Sequence, residues 1–255
     1  MEECRLEVCH DRQALAAKAS SLIVECARES LRDRGRFTIV LCGGSTPEET
    51  YLLWTQSGQM APPDWQKTHV FFGDERFVPT DDPRSNYGMA DRALLSRAPV
   101  PPSQVFPVPT QRPSAAEAAK AYADQLVRFF ATDGRASPPR FDLVLLGLGE
   151  DGHTASLFPG SPALEVTDAW VTWSPPGTLP PPVDRVTLTY PVLTAARHVV
   201  FLVAGEGKAP ALRDVLEGKA DRRQRPAAGI QPVDGTLTWL VDESAAKLLA
   251  RQSCP

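Results

Sequence analysis

The chain has 255 residues, enough to bury a substantial core in one large domain or two small ones. Apolar residues make up 42% and charged residues 23%, ordinary for a globular protein, and the net charge of -4 gives no support to nucleic-acid binding as a main role. Any anionic ligand must therefore be held by a local cluster of positive groups.

The five cysteines, Cys4, Cys9, Cys26, Cys42 and Cys254, are odd in number and have no C-x-x-C spacing. They read as reduced thiols of a cytoplasmic protein, not a disulfide frame or a zinc site. MEECRLEVCH is too acidic for a secretory signal, and no apolar run reaches the length of about 18 residues that a membrane span needs. Prolines cluster at 99–113 and 174–184, between periodic segments, and read as stiff surface connections.

In chain order, residues 10–34 carry Leu15, Ala19, Leu22, Ile23, Cys26, Ala27 and Leu31 at helical spacing, with Gly35 as a stop. FTIVLC (37–42) is a short buried strand ending at Gly43-Gly44, and Pro47 opens a helix to about Trp54. THVFF (68–72) is a second strand, followed by expected helices over Asn86–Arg97 and Ser114–Thr132. FDLVLLG, RVTLTY (185–190), HVVFLVAG (198–205) and TLTWLV (236–241) are four more strands. A helix is expected over Lys208–Leu216, and Asp242 caps a last one through Leu249.

Strands apolar on both faces and alternating with helices indicate an α/β fold with a largely parallel sheet flanked by helices, read as a single domain over 1–255. Ligands of such sheets sit beyond the carboxyl ends of the strands. Four polar clusters, GGST, GDER, GEDGH and GEGK, each follow a strand, so their loops are expected to converge on one site.

Gly43, Gly44, Ser45 and Thr46 can turn backbone N–H groups and hydroxyls toward an anion at a helix start, where the helix dipole favours negative charge. A plain strand-to-helix turn with a hydroxyl cap reads equally well on this segment alone. Arg76 follows a strand end, where its fork can hold a phosphate, while Asp74 and Glu75 neutralise it or orient a ligand hydroxyl. A solvated loop with internal ion pairs is the alternative.

In GLGEDGHTASLFPG, His153 is a candidate general base, because an unperturbed imidazole is half neutral near about pH 6.5. Asp151 would orient the ring or hold a substrate hydroxyl. The other histidines sit in unrelated contexts, so a metal site is not expected. Lys208 can complete a phosphate site begun by Arg76 and the GGST amides. Asn86, Asp74 and Asp151 are candidates for hydroxyl recognition, and Arg185 or the Gly-rich turn for oxyanion stabilisation.

LCGGSTPEETY, FFGDERFVPTDDPRSNYGMA, LLGLGEDGHTASLFPG, RVTLTYPVL, FLVAGEGKAPAL and PAAGIQPVDGTLTWLVD occur in the order seen in 6-phosphogluconolactonases, and the chain resembles that family over roughly residues 36–242. The resemblance implies a Rossmann-like α/β fold and hydrolysis of 6-phospho-D-glucono-1,5-lactone to 6-phosphogluconate in the oxidative pentose phosphate pathway. It implies no organic cofactor and no catalytic metal. It places the family's catalytic histidine on His153 and its phosphate-site cations on Arg76 and Lys208. Cys42 departs from a serine common at that point.

The partner expected is a small phosphorylated lactone, with no nucleic acid or membrane and with a monomeric chain. Two rivals stand beside this reading. An aminosugar-phosphate isomerase-deaminase shares the D-G-H turn but would have an acid where this chain has Phe158. A non-catalytic sugar-phosphate sensor could keep the cations yet would not need Asp151 and His153 together.

Overall fold

The computed structural model describes residues 4–56, 64–130, 137–178, 180–218 and 221–250. In chain order these form β1 (Cys4–Cys9), α1 (Arg12–Arg34), β2 (Phe37–Leu41), α2 (Ser45–Gln56), β3 (Thr68–Phe72), β4 (Asp74–Arg76), α3 (Asn86–Ala90) and α4 (Ala115–Phe130). Then follow β5 (Leu143–Gly147), β6 (Val171–Ser174), β7 (Arg185–Leu188), α5 (Tyr190–Thr194), β8 (His198–Val203), α6 (Ala209–Leu216), β9 (Thr236–Asp242) and α7 (Glu243–Ala246).

Six strands make a wholly parallel sheet in the order β1-β9-β8-β5-β2-β3. Every residue of β2 is buried, as are five of the six in β8, because helices cover both faces. That is why these strands read as continuous apolar runs and not as alternations. Phe201 and Trp239 stack across β8 and β9 with ring centroids 3.8 Å apart. On the β3 side Phe71 stacks on Phe106 at 4.5 Å and meets Phe129 and Phe141 edge-on at 5.0 and 5.1 Å.

The sheet is doubly wound. From β2 the chain moves outward to β3, then returns past β2 to β5 and continues the other way through β8 to β9. The order reverses between β2 and β5, which opens a crevice at their carboxyl ends. At the opposite end Asp142 ties these two strands together. Its Oδ2 accepts from the Thr38 N–H (2.8 Å) and hydroxyl (2.7 Å), and its Oδ1 from Arg34 Nε (2.7 Å).

A second, antiparallel sheet of order β4-β7-β6 lies beyond the end of β3. The expectation of a strand at 185–190 is met by β7, shortened to Leu188, but in this small sheet and not among the parallel strands. GDER, expected as a loop, is mostly β4. The helix expected over Asn86–Arg97 is α3 followed by a wide turn in which Ser96 N–H donates to the Asp91 carbonyl. Asp242 caps α7 through the Ala245 N–H at 2.7 Å, and α7 stops at Ala246, short of Leu249. The expected end of α4 at Thr132 falls outside the described residues.

Cys9, Cys26 and Cys42 are free thiols, whereas Cys4 is disulfide-bonded, which corrects the expectation of five reduced cysteines. No described helix is long and apolar enough to cross a membrane.

Candidate active site

The loops after β2, β5 and β8 and the start of the small sheet meet at the crevice. It is a cavity of about 330 Å³, within the range of small-ligand sites. Gly43, Gly44, Ser45, Thr46, Asp74, Arg76, Asn86, His153, Arg185 and Lys208 all line it. Asp151 does not. It stands behind the histidine ring, where its Oδ1 lies 2.6 Å from His153 Nδ1 and accepts from the His153 backbone N–H at 3.0 Å.

The turn that builds this pair is closed on itself. Gly149 N–H donates to the His153 carbonyl (2.8 Å), Gly152 N–H to Gly149 (2.9 Å), and the Thr154 hydroxyl to Gly147 (2.9 Å). Burial pushes the Asp151 carboxyl up, but hydrogen bonds and charge from His153 outweigh that and hold it below the usual carboxylate value. An ionised Asp151 assigns the proton of the neutral ring to Nδ1, which leaves Nε2 as the basic nitrogen. The Phe158 ring covers the imidazole at 4.8 Å.

On the β2 side, α2 begins at Ser45, so its amino terminus and the two glycines face the cavity. Gly43 is required by a close approach: a Cβ there would lie 1.9 Å from Asn86 Oδ1. Asn86 Nδ2 donates to Asp74 Oδ1 (3.1 Å) and to the Asp74 carbonyl (2.9 Å), while Ser156 donates to Asp74 Oδ2 (2.6 Å). Asn86 Oδ1 is buried without a hydrogen-bond partner, an acceptor in want of a donor.

Glu75 is buried beneath this wall. Its carboxylate accepts from the Arg76, Asn86 and Tyr87 N–H groups (2.7 Å each) and from the Ser85 hydroxyl (3.0 Å). Burial raises its pKa against those hydrogen bonds. It shapes the loop and is absent from the cavity lining, so, against expectation, it is not placed to orient a ligand hydroxyl. Arg76 spends Nη1 on the Arg84 carbonyl at 2.6 Å. Arg185 is almost fully buried and donates to the Val183 and Pro181 carbonyls, and desolvation lowers its pKa. A guanidinium stays charged under such a shift. Lys208 ends the short turn Glu206–Lys208 that leads into α6.

Sequence reasoning missed three features of the lining. Arg12, at the start of α1, reaches the crevice while paired with Glu49 at 3.0 Å. Ser156 holds Asp74, and Ala155 lines the cavity in a left-handed conformation with φ 47°. Such a backbone costs about 1–3 kcal/mol and is retained only where surroundings enforce it. Arg12 stands in no strand-end pattern, and Ala155 and Ser156, though within GLGEDGHTASLFPG, carry no ionisable group to mark them. Burial pushes the Cys42 thiol up to about 12, so it is no nucleophile at neutral pH. Among the described residues no group of three or more His, Cys, Asp or Glu side chains is placed to hold a metal ion.

Fold and site together define a class: a doubly wound α/β protein with an imidazole–carboxylate pair and a cationic wall in one crevice at the switch point. Comparison with known proteins narrows it. Residues 10–239 match the family described as glucosamine-6-phosphate isomerases/6-phosphogluconolactonase, and the chain belongs to that family. It is 40% identical over 245 residues to a 6-phosphogluconolactonase of Synechocystis, covering 96% of this chain and 98% of the relative. The 6-phosphogluconolactonase of Homo sapiens is 41% identical over 249 residues, covering 96% and 93%. Among solved structures, 6-phosphogluconolactonase from Trypanosoma cruzi superimposes with a TM-score of 0.86 at 32% identity, over 98% of this chain and 99% of that one.

Proposed function

We propose that this protein is a cytoplasmic, monomeric 6-phosphogluconolactonase, hydrolysing 6-phospho-D-glucono-1,5-lactone to 6-phospho-D-gluconate in the oxidative pentose phosphate pathway. Relatives of that name at about 40% identity over nearly the whole chain support the activity. One observation carries the mechanism: His153, backed by Asp151 at 2.6 Å, lines the same cavity as Arg76, Lys208 and the start of α2.

The substrate has a dianionic phosphate at one end and an electrophilic carbonyl at the other. Arg76, Lys208 and the N–H groups of Gly43 to Thr46 fix the phosphate. Anchoring one end turns a diffusive encounter at the other into a bound one. His153 Nε2 takes a proton from water as its oxygen adds to C1. The tetrahedral oxyanion then collapses, the bond from C1 to the ring oxygen breaks, and that oxygen takes the proton back from the imidazolium. Asp151 holds the ring and stabilises its transient charge. Asp74 and Asn86 face the sugar hydroxyls, and Arg185 is the cation available to the oxyanion. A positioned base supplies about 10²- to 10⁴-fold, enough for an ester that is already reactive.

Phe158 supports this reading over the isomerase-deaminase one, because an apolar ring covers the imidazole where that chemistry would need a carboxylate. The test is hydrolysis of freshly generated lactone, with spontaneous hydrolysis subtracted, beside ammonia release from glucosamine 6-phosphate. Lactone turnover without ammonia is expected, and ammonia without lactone turnover would reverse the assignment.

A further inference from the structure

Outside the crevice, one group with no counterpart in the chemistry above grips the histidine turn. Arg225 lies in the segment that follows α6. Its Nη1 donates to the Asp151 carbonyl at 3.1 Å, while Nε and Nη2 both reach Asp214 Oδ2 on α6, at 3.2 and 2.8 Å. Two residues on, Ala227 N–H donates to the Gly152 carbonyl at 3.0 Å. The carbonyls of both residues preceding His153 are thus held from outside the turn. The same segment accepts from the Gly160 N–H through the Arg223 carbonyl (3.0 Å), so it clasps the loop at its far end as well.

The packing is as close as the hydrogen bonding. Gly152 has φ +83°, and a Cβ there would stand 2.4 Å from Arg225 Cδ and 3.2 Å from its Cα. Only glycine lets the two backbones approach this far. Asp214 is held below the usual carboxylate value by hydrogen bonds from Arg213 and Arg225, so it remains a charged anchor at neutral pH. Its helix, α6, begins directly after Lys208.

We propose that Arg225 is a positioning residue for the reaction, a strut that fixes the Asp151–His153 turn to α6 and so sets the distance between the imidazole and the Lys208 end of the crevice. It touches neither substrate nor reacting atoms and acts through the peptide carbonyl of Asp151. The inference rests on His153 being the base. Small displacements of a reacting group cost up to about 10²-fold in rate. Loss of the strut should therefore lower kcat and leave substrate binding in place.

The test compares kcat, KM, inhibition by inorganic phosphate and thermal midpoint for wild type, Arg225→Gln, Asp214→Asn and the double variant, with His153→Asn alongside. We expect Arg225→Gln to lower kcat about 10- to 100-fold per folded molecule, with KM and phosphate inhibition within about twofold. Asp214→Asn should shift kcat the same way, and the double variant should be no worse than the stronger single one, as for two members of one link. Asp214→Asn keeps the test decisive if Arg225→Gln does not fold. Wild-type kcat in the single variants, or losses that add and follow a raised KM and a lowered midpoint, would overturn the proposal. Turnover retained by His153→Asn would instead remove the reading on which it rests.

Discussion

Asp151 has a role that distance alone defines. With one oxygen on the ring nitrogen at 2.6 Å and no place in the cavity lining, it is positioned, in the mechanism proposed, to act on the base and not on the sugar. Asp151→Asn should lower kcat by about 10²- to 10⁴-fold, since the amide no longer fixes the tautomer. It should also change acid stability. The folded carboxyl lies below its unfolded value, so its contribution is present above about pH 4 and is lost as pH falls through the lowered folded value. The gap in thermal midpoint between wild type and Asp151→Asn should accordingly be open at pH 6 and closed in strong acid. A gap independent of pH would contradict a hydrogen-bonded, ionised Asp151. Gly43→Ala forces Asn86 away from Asp74 and should raise KM by displacing the wall that faces the sugar, which steady-state kinetics can check. His153, Arg76, Lys208 and the glycines were legible because each follows a strand end in a short polar cluster. Arg12 and Arg225 were not, because a guanidinium reaches far from its own backbone and neither stands in a motif.

The strands buried on both faces were legible as apolar runs, within a residue or two of their ends. β1 was not: Arg5 and Glu7 alternate with Cys4, Leu6 and Val8, but the run is short, and as an edge strand it is only half buried. β4 and β6 have three and four residues, too few to show a period, and which sheet β7 joins depends on long-range pairing that no local pattern encodes. Glu75 explains why the small sheet is reliable as a wall: four donors converge on one buried carboxylate and fix the β4–α3 connection. At the far end of the parallel sheet Asp142 does the same for β2 and β5. Asp142→Ala removes charge-assisted bonds and strands the buried Thr38 N–H, and should cost about 3 kcal/mol in urea unfolding. Its kcat at low denaturant should match wild type, because the staple lies at the opposite end of the sheet from the crevice. A large fall in kcat without loss of stability would refute this division of labour.

At the scale of the whole molecule, the reversal of strand order between β2 and β5 explains why loops far apart in sequence form one cavity. The sheet supplies fixed geometry, the start of α2 and the cations supply a local positive field in a chain of net charge -4, and in the mechanism proposed the β5 turn supplies the base. Convergence of GGST, GDER, GEDGH and GEGK followed from reading each as a strand end, and the pairing of their side chains required coordinates. The central claim is a division within this cavity: cations at one end hold the phosphate, and His153 at the other activates water. The measurement that tests it most directly is the steady-state kinetics of His153→Asn and Arg76→Ala side by side with wild type on the lactone, with competition by inorganic phosphate. His153→Asn should lose kcat by orders of magnitude with KM and phosphate inhibition nearly intact, and Arg76→Ala should raise KM and weaken phosphate inhibition. Unchanged turnover in His153→Asn, or phosphate inhibition indifferent to Arg76, would contradict the account.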